Sequence, residues 1–170
     1  MKYIAVVIMS LVLCPLAFGQ SGDGYAFFAP GQIRAAGDSM FMMHFGGGGR
    51  YIGKSGVGFG AEIGMAGPKD HFGDTFAGVF SPNGYYVFKT SNAKVQPFVT
   101  GGYTRTFGHN SGHNWGNFGG GVTYWAASRV GLLIEFRDHI TREQGTTFQM
   151  YGSVWAWRSS KVAMIPAAGQ

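Results

Sequence analysis

The sequence predicts an all-β chain: an eight-stranded antiparallel up-and-down transmembrane β-barrel preceded by a signal peptide. Three observations predict it. Residues 56–67 place Val57, Phe59, Ala61, Ile63 and Met65 on one side of a strand and Gly58, Gly60, Glu62, Gly64 and Ala66 on the other. This is the two-residue period of extended chain. A half-buried strand in a soluble protein turns its polar side to water, whereas this second face is nearly all glycine around one acid. That suits a crowded, narrow interior with the apolar side in hydrocarbon. The composition agrees, because 30 glycines and 16% aromatic against 12% charged residues in 170 are unusual for a soluble globule. Finally, no stretch spaces apolar residues by three and four over several turns, while short alternating runs separated by Gly, Asn, Pro and Ser recur at hairpin intervals.

At the start, Met1-Lys2-Tyr3 precedes the apolar run from Ile4 to Leu13, with Ala17-Phe18-Gly19 before Gln20 as a cleavage site. Residues 1–19 therefore read as a secretory signal, with the mature chain starting near Gln20. The run is shorter than the roughly 18 residues that a membrane-spanning helix needs. Cys14, the only cysteine, lies inside it behind Leu13, where a lipoprotein signal needs a small residue. Cleavage then leaves neither a disulfide framework nor a thiol site.

Strands are expected near 24–31, 39–50, 56–67, 75–89, 95–107, 116–126, 129–139 and 147–158, giving a barrel domain over 20–158 and a short tail over 159–170. The connections 51–55, 90–94 and 126–128 are short, and 32–38, 68–74, 108–115 and 140–146 are longer and more polar. Two unlike ends of a barrel follow from that alternation. In the seventh strand Val130, Leu132, Ile134 and Phe136 oppose Arg129, Gly131, Glu135, Arg137 and His139, with Leu133 breaking the rule. In the sixth, Phe118, Gly120, Val122, Tyr124 and Ala126 oppose Asn117, Gly119, Gly121, Thr123 and Trp125. In the second, Phe41, Met43 and Phe45 oppose His44, Gly46, Gly48 and Arg50. The fourth and fifth are ambiguous, since Phe98 and Tyr103 fall on opposite faces and Arg105 can face outward only near a rim.

The inward positions carry the candidate site. Glu62, Glu135 and Arg137 fall at similar heights, with His44 and Arg50 within reach on a neighbouring strand. Charges in a poorly hydrated lumen persist when paired, so these five are expected to form an ion-pair network that fills the barrel rather than a catalytic group. The net charge of +5 comes from 13 Lys and Arg against 8 Asp and Glu, without a basic block, which argues against nucleic acid as a partner.

Two motif matches need a decision. Gly48-Gly49-Arg50-Tyr51-Ile52-Gly53-Lys54-Ser55 fits the phosphate-binding expression GxxxxGK[ST]. That loop works only ahead of a helix whose amides point at the anion, and Ser55 precedes the glycine-alternating strand, so a tight turn is expected instead. His109 and His113 have the spacing of metal ligands on a helix, but Gly108, Asn110, Ser111, Gly112 and Asn114 around them make a loop, and no metal or other cofactor is expected.

The run Gly46 to Lys54, the run Gly56 to Gly64, Pro97-Phe98-Val99-Thr100-Gly101-Gly102-Tyr103, and Gly119-Gly120-Gly121-Val122-Thr123-Tyr124 through Glu135-Phe136-Arg137-Asp138 resemble the small outer-membrane β-barrels of the OmpA/OmpX and opacity-protein type. The resemblance spans 24–158 and implies a closed barrel in the outer membrane of a diderm bacterium. It also implies periplasmic short turns, surface loops of unknown ligand, outer-membrane lipids and the barrel assembly machinery as partners, and a monomer. Gly152-Ser153-Val154-Trp155-Ala156-Trp157 resembles the family's final-strand assembly signal, although Arg158 and the tail follow the aromatic here. Tyr124, Trp155 and Trp157, with Trp115, Trp125, Tyr85, Tyr86, Tyr103 and Tyr151, are expected in aromatic girdles, some of them filling the lumen instead.

His109-Asn110-Ser111 also resembles the His-x-Ser element of outer-membrane lipid A deacylases, but Gly112 stands where that family has Asn, and the expected acid is missing near Thr123. The functional expectation is a non-enzymatic barrel with a structural or surface-interaction role and a side-chain-filled lumen. A deacylase-like enzyme using His109 and Ser111, a small porin and an exported lipocalin-like carrier are the alternatives.

Overall fold

The computed structural model describes residues 22–35, 38–69, 76–92, 94–108, 112–127, 130–143 and 146–160, with backbone alone at Ala35 and from Arg142 to Ser160. The expected signal peptide at 1–19 and the end of the chain beyond Ser160 lie outside these residues. Strands run over Gly22–Ala35 (β1), Asp38–Ile52 (β2), Val57–Pro68 (β3), Ala77–Val87 (β4), Val95–Phe107 (β5), Asn114–Ala127 (β6), Val130–Glu143 (β7) and Thr146–Ser160 (β8). Each pairs antiparallel with the next, and β8 pairs back onto β1 to close the barrel. Closure leaves no sheet edge with unpaired backbone groups.

Pro30 and Pro82 each interrupt one ladder without breaking the sheet. Pro30 pairs with Met43 on β2, while the β1–β8 ladder skips from Phe28↔Trp155 to Gly31↔Gly152. Pro82 pairs with Ala61 on β3, while the β4–β5 ladder skips from Phe80↔Arg105 to Asn83↔Gly102. A strand residue aims its N–H at one neighbour only, so each proline costs the ladder on one side and spares the other.

The faces separate as the alternation requires. Phe59 is 68% exposed, Phe136 58% and Phe118 56% on the outer wall, whereas Glu62 and Glu135 on the inner face of the same sheet are 3% and 2% exposed. Leu133, the exception in its strand, points inward and joins Tyr25, Phe27, Ala29, Tyr85 and Phe98 in a buried cluster, with Ile52 and Val87 packed against it. The ambiguous strands resolve too: Val79, Ser81, Asn83 and Tyr85 on β4 and Phe98, Thr100 and Thr104 on β5 are buried, while Tyr86, Val99 and Tyr103 are exposed. A lipocalin-like cup needs the reverse distribution, with charge outside and an apolar interior.

Three boundaries differ from expectation. Residues 32–35 and 140–143, read as loop, continue β1 and β7, so those two links shorten to 36–37 and 144–145, while 69–76 and 108–113 at the same end stay longer. Pro30-Gly31 and the polar run Thr141-Arg142-Glu143 resemble turn chemistry, but both flanking strands keep pairing through them, as in Gln32↔Phe41 and Arg142↔Thr147. Ladder pairing, with β2 and β8 for 32–35 and with β8 alone for 141–143, overrides local composition. Each end therefore mixes short and longer links, since 88–94 at the opposite end is about as long as 69–76. Finally, β8 carries Arg158, Ser159 and Ser160, so the strand runs beyond Trp157 and into the segment read as tail.

Candidate functional site

The inner face of the barrel between β1 and β7 holds a connected set of charged side chains. Arg137 on β7 is its centre. Its Nε donates to Glu135 Oε1 at 2.5 Å and its Nη2 to Glu62 Oε1 at 3.0 Å, while Nη1 donates to Glu62 Oε2. The guanidinium thus meets Glu62 with two nitrogens and Glu135 with the third, the fork geometry that favours arginine over lysine. The Tyr25 hydroxyl donates to Glu62 Oε1 at 2.6 Å and lies 3.3 Å from the Tyr85 hydroxyl.

Arg50 on β2 makes a separate cluster. Its Nε lies 3.5 Å from Asp23 Oδ1, and its Nη2 donates to Thr123 Oγ1 at 3.4 Å. Its guanidinium carbon stands 5.0 Å from the centroid of Phe98 and 5.3 Å from that of Tyr85, within range of cation–π attraction. His44 joins neither cluster by a hydrogen bond; its ring packs edge-on against Phe27 at 4.8 Å. Further along the lumen, Ser81 and Thr104 exchange a 2.8 Å hydrogen bond and Asn117 Nδ2 donates to Thr104 Oγ1 at 2.9 Å.

Room for these side chains comes from glycine. In the register Tyr25 and Glu62 both face Gly48, Arg50 faces Gly60, Arg137 faces Gly119 and Glu135 faces Gly121. A methyl group at Gly48 would stand 2.8 Å from Glu62 Cγ and 2.9 Å from Tyr25 Cζ. The alternating glycines of the sequence are thus the sockets of the network, and this volume pairing explains why they cluster on the inner face.

Of the five residues expected to act together, the structure joins Glu62, Glu135 and Arg137, places Arg50 in an adjoining cluster and leaves His44 against an aromatic ring. Sequence reasoning missed Tyr25, Asp23, Tyr85 and Thr123. Their signal was parity with the known inward positions, but cross-lumen partners such as Arg50 and Thr123 are set by closure of the whole sheet. The arrangement binds both carboxylates of the centre, Glu62 and Glu135, to Arg137, and Glu62 also to the Tyr25 hydroxyl. Chemically it holds charge in place.

The remaining candidates are placed as follows. The phosphate-loop match runs through the end of β2 into a turn, with Gly56 N donating to Gly53 O at 3.0 Å and Gly53 N to Val57 O at 2.8 Å, and strand, not helix, follows. Gly56 has φ +89°, and a side chain there would meet Val87 O at 2.5 Å. His109 and Ser111 lie outside the described residues, and His113 packs near Trp115 at 6.4 Å. Tyr124 is exposed on the outer wall with Tyr51 and Tyr86 near the same rim. Tyr85 and Trp115 fill the lumen instead, and Trp125 points inward, donating from Nε1 to Gln96 Oε1 at 2.9 Å. On β8, whose side chains are not described, Gly152 pairs with Arg137, Trp155 with Ile134 and Trp157 with Leu132.

No protein-family model matches the sequence, and no curated protein is significantly similar to it. Solved structures are. Neisserial surface protein A aligns over 81% of this chain and 96% of its own at 14% identity, with a TM-score of 0.64. Ail, the attachment invasion locus protein of Yersinia pestis, in its complex with the heparin analogue sucrose octasulfate, aligns over 82% and 99% at 11% identity and a TM-score of 0.53. The outer membrane protein OprG from Pseudomonas aeruginosa aligns over 85% and 97% at 10% identity and 0.52. From one rim to the other, the chain has the fold of the small outer-membrane β-barrel proteins.

Proposed function

We propose that this protein is an integral barrel of the bacterial outer membrane, non-enzymatic, with a lumen closed by side chains and a structural or surface-interaction role. One observation carries the reading: a buried charged cluster lies inside, and a belt of large apolar residues faces outward. Val57, Phe59, Ile63, Phe118 and Phe136 are each more than half exposed on the wall, while Glu62, Glu135 and Arg137 are buried. Hydrocarbon is the solvent that favours such a wall, and ring closure satisfies the backbone within it. Tyr51, Tyr86 and Tyr124, and on β8 Trp155 and Trp157, supply aromatic girdle positions under this reading.

The Arg137 centre, Arg50 beside the Phe98 ring and the Leu133 cluster all project into the lumen, which supports a plug over a conducting pore. An eight-stranded barrel is also about the size that side chains can fill. The test is gel mobility of isolated outer membranes before and after boiling, joined to conductance in planar bilayers. A band that shifts on heating, with no steady single-channel current, is the expected result. Recovery of folded protein from periplasmic extract without detergent would overturn the membrane reading, and steady conductance would overturn the plug.

A further inference from the structure

The end of β2 next to the 36–37 link sets a line of cation ligands on the inner face. Asp38, Met40, Met42 and His44 are alternate residues, so they share the side of the strand that carries Gly48 and buried Arg50. Met40 pairs with Ile33 on β1 and stands beyond the last β2–β3 rung, Met42↔Pro68, which puts it at the mouth of the lumen. Burial deepens in the same order: Asp38 is exposed and Met40 is 51% exposed, whereas Met42 and His44 are half-buried. Neighbouring strands leave room at these rungs, since Met42 faces Gly31 and His44 faces Ala29 and Ala66. Below His44 this face carries only Gly46 and Gly48 before Arg50, so the series ends there.

Three of the four side chains are soft or borderline ligands. A thioether offers a polarizable, uncharged sulfur on a flexible stem, and together with imidazole it selects Cu(I) and Ag(I) over hard cations, which want oxygen. Same-face neighbours on a strand lie roughly 7 Å apart, so an ion between Met40 and Met42, or between Met42 and His44, is within reach of both side chains. The Met42 sulfur is common to the two positions. A separate observation points to the same place: His44 Nε2 is buried and has no hydrogen-bond partner among the described residues. It lies over Gly64, where a methyl group would stand 3.0 Å from it, and the ring is otherwise held by its edge contact with Phe27. Turning the imidazole toward Met42 therefore breaks no hydrogen bond of Nε2, and an ion there supplies the partner that a buried nitrogen lacks.

We propose that Met40, Met42 and His44 form a site for a soft monovalent cation, Cu(I) or Ag(I), at the mouth of the lumen, with the Asp38 carboxylate at its entrance. The site rests on the barrel reading above, and the experiment separates the two. The full-length chain carrying Cys14→Ser, which removes its only thiol as a competing ligand, is folded in non-ionic detergent. It is dialysed against silver nitrate in chloride-free buffer, against Cu(I) kept reduced by ascorbate, and against Zn(II). Heat-dependent gel mobility reports the barrel, and metal analysis of the dialysed protein reports uptake.

About one Ag(I) or Cu(I) per folded chain is expected, with no Zn(II) at the same concentration. Met42→Leu, which keeps the side-chain volume, should lose most of that uptake while keeping the gel shift. Met40→Leu and His44→Gln should each lose part of it, and Met43→Leu, on the opposite face of the same strand, none. Uptake unchanged by Met42→Leu, lost equally in Met43→Leu, or matched by Zn(II) would each overturn the site. If His44→Gln does not fold, the two leucine variants of the inner face decide. A gel shift without any uptake of Ag(I) and Cu(I) refutes the site alone. Absence of a gel shift would instead defeat the barrel reading, and the site with it.

Discussion

Two arginines share the lumen and are held in opposite ways. Arg137 is held by charge, with all three of its guanidinium nitrogens on carboxylate oxygens of Glu62 and Glu135. Arg50 adds aromatic faces to longer polar contacts: its Nη2 donates to Thr123 Oγ1 at 3.4 Å and its Nε lies 3.5 Å from Asp23 Oδ1, while Phe98 and Tyr85 lie at 5.0 and 5.3 Å. A narrow barrel can therefore keep a cation out of water either by giving it counter-charges or by laying it against aromatic quadrupoles. The first solution depends on the sign of its neighbours, and the second on shape.

The largest break is at the charge-held site. Arg137→Met removes the cation shared by two buried carboxylates, and the expected loss is about 3–5 kcal/mol, since the uncompensated charges stay behind. Arg50→Met, removing a cation that leans on rings, is expected to cost about 1–2 kcal/mol. Urea titration of the two variants in the same lipid, followed by gel mobility, makes the comparison. Equal losses would erase the distinction between the two sites.

Gly48→Val attacks the same centre through volume. Its first methyl position already meets Glu62 Cγ at 2.8 Å and Tyr25 Cζ at 2.9 Å, so the added side chain must displace the network or the sheet. Overpacking of this kind costs about 1–3 kcal/mol. Gly49, on the other face of the same strand, meets nothing nearer than Asp23 O at 3.5 Å, so Gly49→Ala should change the urea midpoint little. A large effect at Gly49 and none at Gly48 would show that backbone freedom, not space, sets the glycine pattern.

Within the centre the two acids should differ as well. Glu62 accepts from two nitrogens of Arg137 and from Tyr25, whereas Glu135 accepts from one nitrogen. Glu62→Gln is expected to lower stability by about 2 kcal/mol and Glu135→Gln by about 1, from the number of charge-assisted bonds each loses. Three carboxyls face two cations across both clusters, so neutralising the less bonded one also removes surplus negative charge. Reversal of the order in urea midpoint would mean that the Tyr25 contact contributes nothing.

These contrasts mark how far a single strand's pattern reaches. The alternation in 56–67 and 130–136 reports which residues face inward, because that parity is a property of one strand and its two solvents. It places Glu62, Glu135 and Arg137 on one face, but it carries no information on which inward residues meet across the lumen. Arg50 reaches Thr123, 73 residues away, and Arg137 reaches Glu62, 75 away, only because closure and stagger bring those strands face to face. Tyr25 escaped notice because an aromatic residue in a barrel strand fits a girdle as well as a lumen. The hairpin ends at 32–35 and 140–143 escaped for a different reason, since proline, glycine and polar residues resemble turn chemistry wherever they occur, and only the pairing of neighbours shows that a strand continues.

The smallest expected effect separates the two arginines most finely. Lysine keeps the positive charge but replaces the planar fork with a point charge that has no flat face to lay on a ring. At Arg137 the substitution gives up the simultaneous hold on Glu62 and Glu135, because one ammonium cannot reproduce three nitrogens fixed in a plane. At Arg50 it gives up stacking and the long contact to Thr123, while attraction to Asp23 and to the ring faces persists in part. Arg50→Lys is therefore expected to cost less than about 1 kcal/mol, and Arg137→Lys more than Arg50→Lys by the loss of charge-assisted hydrogen bonds. Raising salt should leave both midpoints nearly parallel to wild type, since ions in the medium screen buried pairs weakly. A strong salt dependence of the Arg137→Lys difference would place that centre in contact with bulk water, and the contrast between a charge-held and a face-held cation would have to be redrawn around an open lumen.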